Sequence, residues 1–140
     1  MSYTIHEVAQ KMGISTYSIR YYHDHGMLPY VQRDENNNRI FNDVDLEWLN
    51  IIVCFRKTGM PVERIQHYLD LVQEGEATVA ERYEMVKAQQ ERTLTEIDEL
   101  KKHLETINYK VDHYAAIVEN HESDSFVPSN IRNQTLNHSS

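Results

Sequence analysis

The sequence predicts a mainly α fold: a small helical head carrying one hairpin, followed by a single long helix. Three observations lead there. Short helical periods with their own cap and stop residues fill residues 1–75, and a cluster of turn-formers, Asp34 to Asn38, interrupts them. From Val79 onward the apolar period changes to an alternation of four and three.

Thr4 with Glu7 three residues on forms a capping-box pattern, and Ile5, Val8, Ala9 and Met12 repeat at helical spacing, so a first helix runs to about Met12. Gly13 breaks it and Ile14 is an apolar anchor. Ser15 is placed to cap a second helix from Thr16 to about His25, which Gly26 ends. Leu28 and Pro29 start an extended stretch, and the turn cluster lies between Val31 and the pair Ile40 and Phe41, which reads as a hairpin. Asn42 looks like the cap of a third helix carrying Val44, Leu46, Trp48, Leu49, Ile52, Val53 and Phe55, stopped by Gly59. Pro61 fits the first turn of a fourth helix that buries Ile65, Tyr68, Leu69 and Val72 and closes at Gly75.

The long helix is expected over residues 76–119. Its seam is Val79, Tyr83, Val86, Gln90, Thr93, Ile97, Leu100, Leu104, Ile107, Val111, Tyr114 and Val118. An amphipathic helix of three turns commonly lies on its own domain. A helix of some forty residues is about 60 Å long at 1.5 Å per residue, longer than the head it would have to cover, so a second chain is the better mate. Val86, Ile97, Leu100, Leu104, Ile107, Val111, Tyr114 and Val118 are the candidate dimerisation residues, with Gln90 and Thr93 as polar interruptions that can select register. The tail, residues 120–140, is rich in Ser, Asn and His and is expected to be mostly disordered.

Composition bounds the function. At 140 residues with 40% hydrophobic and 26% charged residues the chain has an ordinary globular mix, with no long apolar run and no secretion signal, which points to a cytoplasmic address and no membrane partner. Cys54, the single cysteine, allows neither an intramolecular disulfide nor a cysteine-rich zinc site. Glycine-rich phosphate loops and nucleophile elbows are missing, and the histidines form no i, i+4 pair; Glu63 and His67 have that spacing but read as a surface contact. No catalytic residue, metal or cofactor is expected. The net charge of −8 argues against nonspecific nucleic-acid binding, yet it is unevenly placed. Between Met1 and Phe41, Lys11, Arg20, Arg33 and Arg39 balance Glu7, Asp24, Asp34 and Glu35, so the acid excess falls on the remainder.

DNA binding therefore rests on motif and placement. Ala9 is small where two helices cross, Gly13 follows where the turn needs an unhindered backbone, and Ile19 is apolar where the second helix meets the core. Together these read as a helix-turn-helix, with the hairpin as a wing. A helix-turn-helix points the N-terminal half of its second helix into the major groove, and here Ser15, Thr16, Tyr17 and Ser18 offer hydroxyls and one aromatic ring to base edges. Arg20, Tyr21, Tyr22 and His23 follow, suited to phosphate oxygens. One of the two tyrosines should face the core, and period alone leaves both choices open. Arg33, Asn38 and Arg39 of the wing complete the candidate set.

Residues Tyr3 to Leu71 resemble the N-terminal domain of MerR-family regulators. The resemblance lies in YTIHEVAQKMGISTYSIRYYHDHGMLP, the wing residues Arg39, Ile40 and Phe41, and DVDLEWLNIIVCFRKTGMPVERI. The wing departs from the family pattern of Asn, Gly and Tyr before the arginine by having Asn36, Asn37 and Asn38, and Asn tolerates the left-handed turn such a wing needs. LDLVQEGEATVAERYEMV, Cys54 and NYKVDHY are similar to the branch typified by AdhR and NmlR regulators, associated with reactive aldehydes and other electrophiles. The resemblance implies a homodimer on double-stranded promoter DNA with a palindromic site, distortion of an overlong spacer for RNA polymerase, antiparallel long helices, and Cys54 as sensor of a small electrophile. Without the resemblance, inert packing is the better reading of Cys54. The rival for the whole chain is a coiled-coil adaptor whose head binds protein and not DNA.

Overall fold

The computed structural model describes residues 1–120; the tail expected to be disordered, apart from Asn120, lies outside the described residues. The order is β1 (Ser2–Tyr3), α1 (Ile5–Met12), α2 (Thr16–Asp24), β2 (Gln32–Arg33), β3 (Arg39–Asn42), α3 (Asp43–Lys57), α4 (Val62–Glu74), a 3-10 turn (Glu76–Thr78) and α5 (Val79–Asn120). The winged helix-turn-helix and the long helix expected from sequence are both present.

Helix α1 begins with the reciprocal capping box: Thr4 Oγ1 accepts from the Glu7 amide at 3.1 Å, and Glu7 Oε1 accepts from the Thr4 amide at 2.8 Å. It ends at Gly13, whose φ of 67° is the left-handed conformation that lets its N–H turn back to the Ala9 carbonyl at 2.9 Å. Two residues on, Ser15 Oγ accepts from the Ser18 amide and α2 starts. The turn between the helices is therefore as short as the caps permit, and it brings Val8 and Ile19 together in the core.

After α2 the backbone curls at Gly26, with the Met27 amide donating to the Tyr22 carbonyl at 2.9 Å, and this drives Met27 and Leu28 fully into the core. Strand pairing starts at Gln32, later than the extended stretch expected from Leu28, because Leu28 is an inward anchor of this curl. The sheet order is β1-β3-β2, both pairs antiparallel, with Tyr3 opposite Phe41 and Arg33 opposite Arg39. Strand β1 was not expected. Two residues carry no readable alternation, and only their pairing with β3 defines them.

A second capping box joins the sheet to α3. Asn42 Oδ1 accepts from the Asp45 amide at 3.0 Å, and Asp45 Oδ2 accepts from the Asn42 amide at 2.8 Å, with Asp45 only 1% exposed. Pro61, expected in the first turn of α4, sits instead one position earlier at its cap. Val8, Ile19, Phe41, Leu49, Ile52 and Ile65 are fully buried, each contributing roughly 1.5–3 kcal/mol by removal from water. The turn into α5 is held by Thr78 Oγ1, which donates to the Leu71 carbonyl, and by Arg82, which donates to Thr78 Oγ1 and the Gly75 carbonyl.

The first compact unit runs from Met1 to Thr93 and so takes in the beginning of α5 as well as the winged head. Met85 and Gln89, one turn apart, are buried in it, and Gln89 Nε2 donates to the Thr58 carbonyl and to Thr58 Oγ1, both at 2.9 Å. From Leu94 the second unit is helical to Asn120. No helix among the described residues is long and apolar enough to cross a membrane.

Candidate nucleic-acid interface

The outer face of α2 carries the reading residues. Tyr17 is 75% exposed at its first turn, beside half-buried Thr16 and Ser18. Ser15 and Ser18 share a hydroxyl–hydroxyl hydrogen bond of 3.0 Å in addition to the cap bond, so these two groups are partly used in starting the helix. Arg20, one turn after Thr16, donates to Thr16 Oγ1 at 3.3 Å, which sets its guanidinium alongside that hydroxyl.

The open choice between the tyrosines resolves by burial. Tyr21 is at the surface with its ring stacked on His25 at 3.9 Å, while Tyr22 is 8% exposed within the core. Tyr22 is thus the tyrosine whose ring faces the core, and burial raises its hydroxyl pKa above the ordinary 10.0. The reason is helical phase: Tyr22 lies three residues after Ile19 on the inward stripe, and the curl to Met27 closes over that side.

The wing turn is built by Asp34. Its Oδ1 accepts from the amides of Asn36 and Asn38, both at 2.9 Å, and Asn37 takes the left-handed conformation at φ 65°. Arg33 donates to the Asn37 carbonyl at 3.0 Å and remains exposed. Asn38 is exposed as well. Arg39 behaves differently, with a side chain only 14% exposed. Its Nε donates to His23 Nδ1 at 2.8 Å and its Nη2 meets Asp24 Oδ1 at 2.9 Å, so two groups expected at phosphates, Arg39 and His23, bind one another.

Ser2 and His6, Arg20 of α2, and Arg33, Asn38 and Arg39 of the wing line one cleft of about 470 Å³. The start of α1 contributes its positive dipole end, and the arginines contribute charge. Glu7 and Asp34 line the same cleft and Arg39 is paired with Asp24, so Arg20 and Arg33 are the charges it offers to an anionic backbone. His6, at the start of α1, and Asp24, the partner of Arg39, were missed in the sequence; the capping box at Thr4 was the available signal for the first, and nothing local marked the second.

Candidate dimerisation residues Val86, Ile97, Leu100, Leu104, Ile107, Val111, Tyr114 and Val118 are all exposed along α5, Leu100 at 67% and Val118 at 74%. Cys54 is exposed on α3 and not packed within the core. Its carbonyl accepts from the amide and the hydroxyl of Thr58, the same residue that Gln89 of α5 binds. His67 meets Glu81 of α5 at 3.0 Å, not Glu63. Among the described residues no cluster of three or more His, Cys, Asp or Glu could hold a metal ion.

A helix-turn-helix whose second helix is flanked by a wing, with Arg20 and Arg33 exposed beside it, defines a winged DNA-binding protein of the transcription-regulator class. The sequence matches the MerR HTH family regulatory proteins over residues 3–71 and the MerR, DNA binding family over residues 46–108. The chain belongs to the MerR family. An uncharacterised HTH-type transcriptional regulator of Haemophilus influenzae is 39% identical over 81% of this chain and 84% of its own length. The regulator AdhR of Bacillus subtilis is 30% identical over 64% of each chain. Among solved structures, HiNmlR, described as a MerR family regulator lacking the sensor domain and bound to promoter DNA, superposes with a TM-score of 0.79 at 36% identity, covering 87% of this chain and 92% of that one. A MerR family regulator from Bacillus thuringiensis superposes with a TM-score of 0.70 at 37% identity, covering 80% and 98%. The chain is a DNA-binding transcriptional regulator of a family that is not enzymatic.

Proposed function

We propose that the protein acts as a homodimer that binds a palindromic site in a promoter spacer, distorts the spacer so that RNA polymerase can use it, and responds to a thiol-reactive electrophile such as an aldehyde through Cys54. The observation that carries this reading is the apolar seam of α5. A row of large side chains from Val86 to Val118 exposed on one long helix is expensive to leave in water, and a second copy of the same helix covers it with matching spacing. Two α2 helices held this way enter successive major grooves about 34 Å apart.

Electrophile sensing is supported by the exposure of Cys54 and by its place on α3, one turn before the Thr58 contact to α5. A sulfur adduct there can bias the placement of the two recognition helices if it favours one arrangement of that junction. Promoter DNA as the partner supports a cytoplasmic location. Selection of bound sequences from random duplex DNA tests the core of the reading. A two-fold symmetric site is the expected result; a single asymmetric half-site refutes the dimer, and failure to enrich any sequence favours the coiled-coil adaptor.

A further inference from the structure

The wing and the recognition helix are joined by one side chain. Arg39, from β3, reaches α2 with two different nitrogens: Nε to His23 Nδ1 at 2.8 Å and Nη2 to Asp24 Oδ1 at 2.9 Å. Arginine has no acceptor, so the bond through Nε exists only if Nδ1 offers a lone pair. The ring is then neutral, with its proton on Nε2. Protonation fills Nδ1, removes the acceptor and sets an imidazolium against a guanidinium at contact distance.

We propose that His23 is a positioning residue that latches the wing to the recognition helix only while Nδ1 is unprotonated, so that acidification loosens the wing and lowers affinity for DNA. The proposal rests on the reading of α2 and the wing as one DNA-binding surface. Groups facing His23 come from every element around it: Arg39 on β3, Arg33 on β2, Asp24 on α2 itself and Asp45 on α3. Burial and the two arginines outweigh the two aspartates and hold the imidazole below its ordinary pKa of 6.5. A histidine depressed in this way carries fewer protons folded than unfolded. In the folded protein the latch is therefore intact at 6.5 and opens only as the pH falls through the lower folded value, while the stability it contributes, fully present above 6.5, declines between 6.5 and that value. Asp24 alone then retains Arg39, through a carboxylate that is 58% exposed and so partly screened by water.

The alternative role for His23 has the opposite sign. A histidine lying directly against phosphate would gain a proton in acid and tighten DNA binding. The experiment uses the full-length protein and has two arms. In the absence of DNA, nitrogen NMR follows the Arg39 Nε–H signal and the His23 ring between about pH 8 and pH 5; the two should titrate together. With a fluorescent duplex recovered by selection, affinity should fall about three- to tenfold as the pH is lowered through the His23 midpoint read by NMR, beyond the fall shown by His23→Gln, whose amide oxygen can accept from Nε but does not titrate. Arg39→Gln should show the same flattened profile as His23→Gln, which guards against either variant being merely misfolded. An Arg39 signal indifferent to His23, an equal pH response in His23→Gln, or tighter binding of the parent in acid each overturns the latch. Absence of binding on both sides of that midpoint with linked NMR titrations sinks the surface reading and leaves the latch standing.

Discussion

Gln89 of α5 donates two hydrogen bonds of 2.9 Å to Thr58, one to its carbonyl and one to its hydroxyl oxygen, at the point where α3 ends. Thr58 in turn donates to the Cys54 carbonyl from both its amide and its hydroxyl. The end of α3 is thus closed by a residue of the long helix, and the exposed cysteine lies one turn away.

Replacing Gln89 by Leu keeps the side chain's bulk and removes its donor, leaving a helix-terminal carbonyl without that partner. We expect a loss of about 1–3 kcal/mol in urea unfolding. An unchanged midpoint would show that the Gln89 bonds add nothing measurable to stability.

The seam predicts assembly. Leu100→Asp with Leu104→Asp puts two charges where a partner helix would bury them, and should give monomers by light scattering with the near-ultraviolet signal of the head retained. Affinity for a two-fold site should collapse with the dimer, since each head reads one half-site. A dimer that persists rules out the seam as its interface.

Exposed cationic groups and the latched arginine should separate by salt dependence. Arg20→Ala and Arg33→Ala are each expected to lower the slope of log affinity against log salt by about 0.9 without altering sequence preference. Arg39→Ala should weaken binding with little change in slope, because its charge is already paired with Asp24. Replacement of Thr16 or Tyr17 should relax discrimination at particular base pairs by roughly 1–3 kcal/mol. A uniform loss across all sequences would remove those two from base readout.

Cys54→Ser preserves size and removes the nucleophile. Dimerisation and DNA affinity should be unaffected, and the transcriptional response to an aldehyde or another electrophile should vanish. A full response in the Ser variant excludes the direct thiol mechanism.

The local signals were legible because each is written in a few adjacent residues. Thr4 and Glu7, Ser15 and Ser18, Asn42 and Asp45 cap helices by contacts three residues apart, and sequence spacing alone locates such starts. Asn37 in a left-handed turn followed from the tolerance of asparagine for that conformation. The apolar seam of α5 likewise survives as a row of exposed large residues, because a heptad is a property of one helix.

What the fold alone decided are the relations between elements distant in sequence. Tyr21 and Tyr22 are adjacent and chemically identical, and their separation into surface and core depends on the curl that buries Met27 and Leu28. Gln89 reads as one more polar position on a coiled-coil helix until Thr58, thirty-one residues earlier, is found against it. That Arg39 spends Nε on His23 and Nη2 on Asp24 is invisible until β3 brings the three together. Sequence determines which groups can donate, accept or carry charge and which helical face they occupy; tertiary packing decides whether a given group is spent inside the molecule or left for DNA, since a hydrogen bond satisfied by a distant side chain leaves no trace in local spacing.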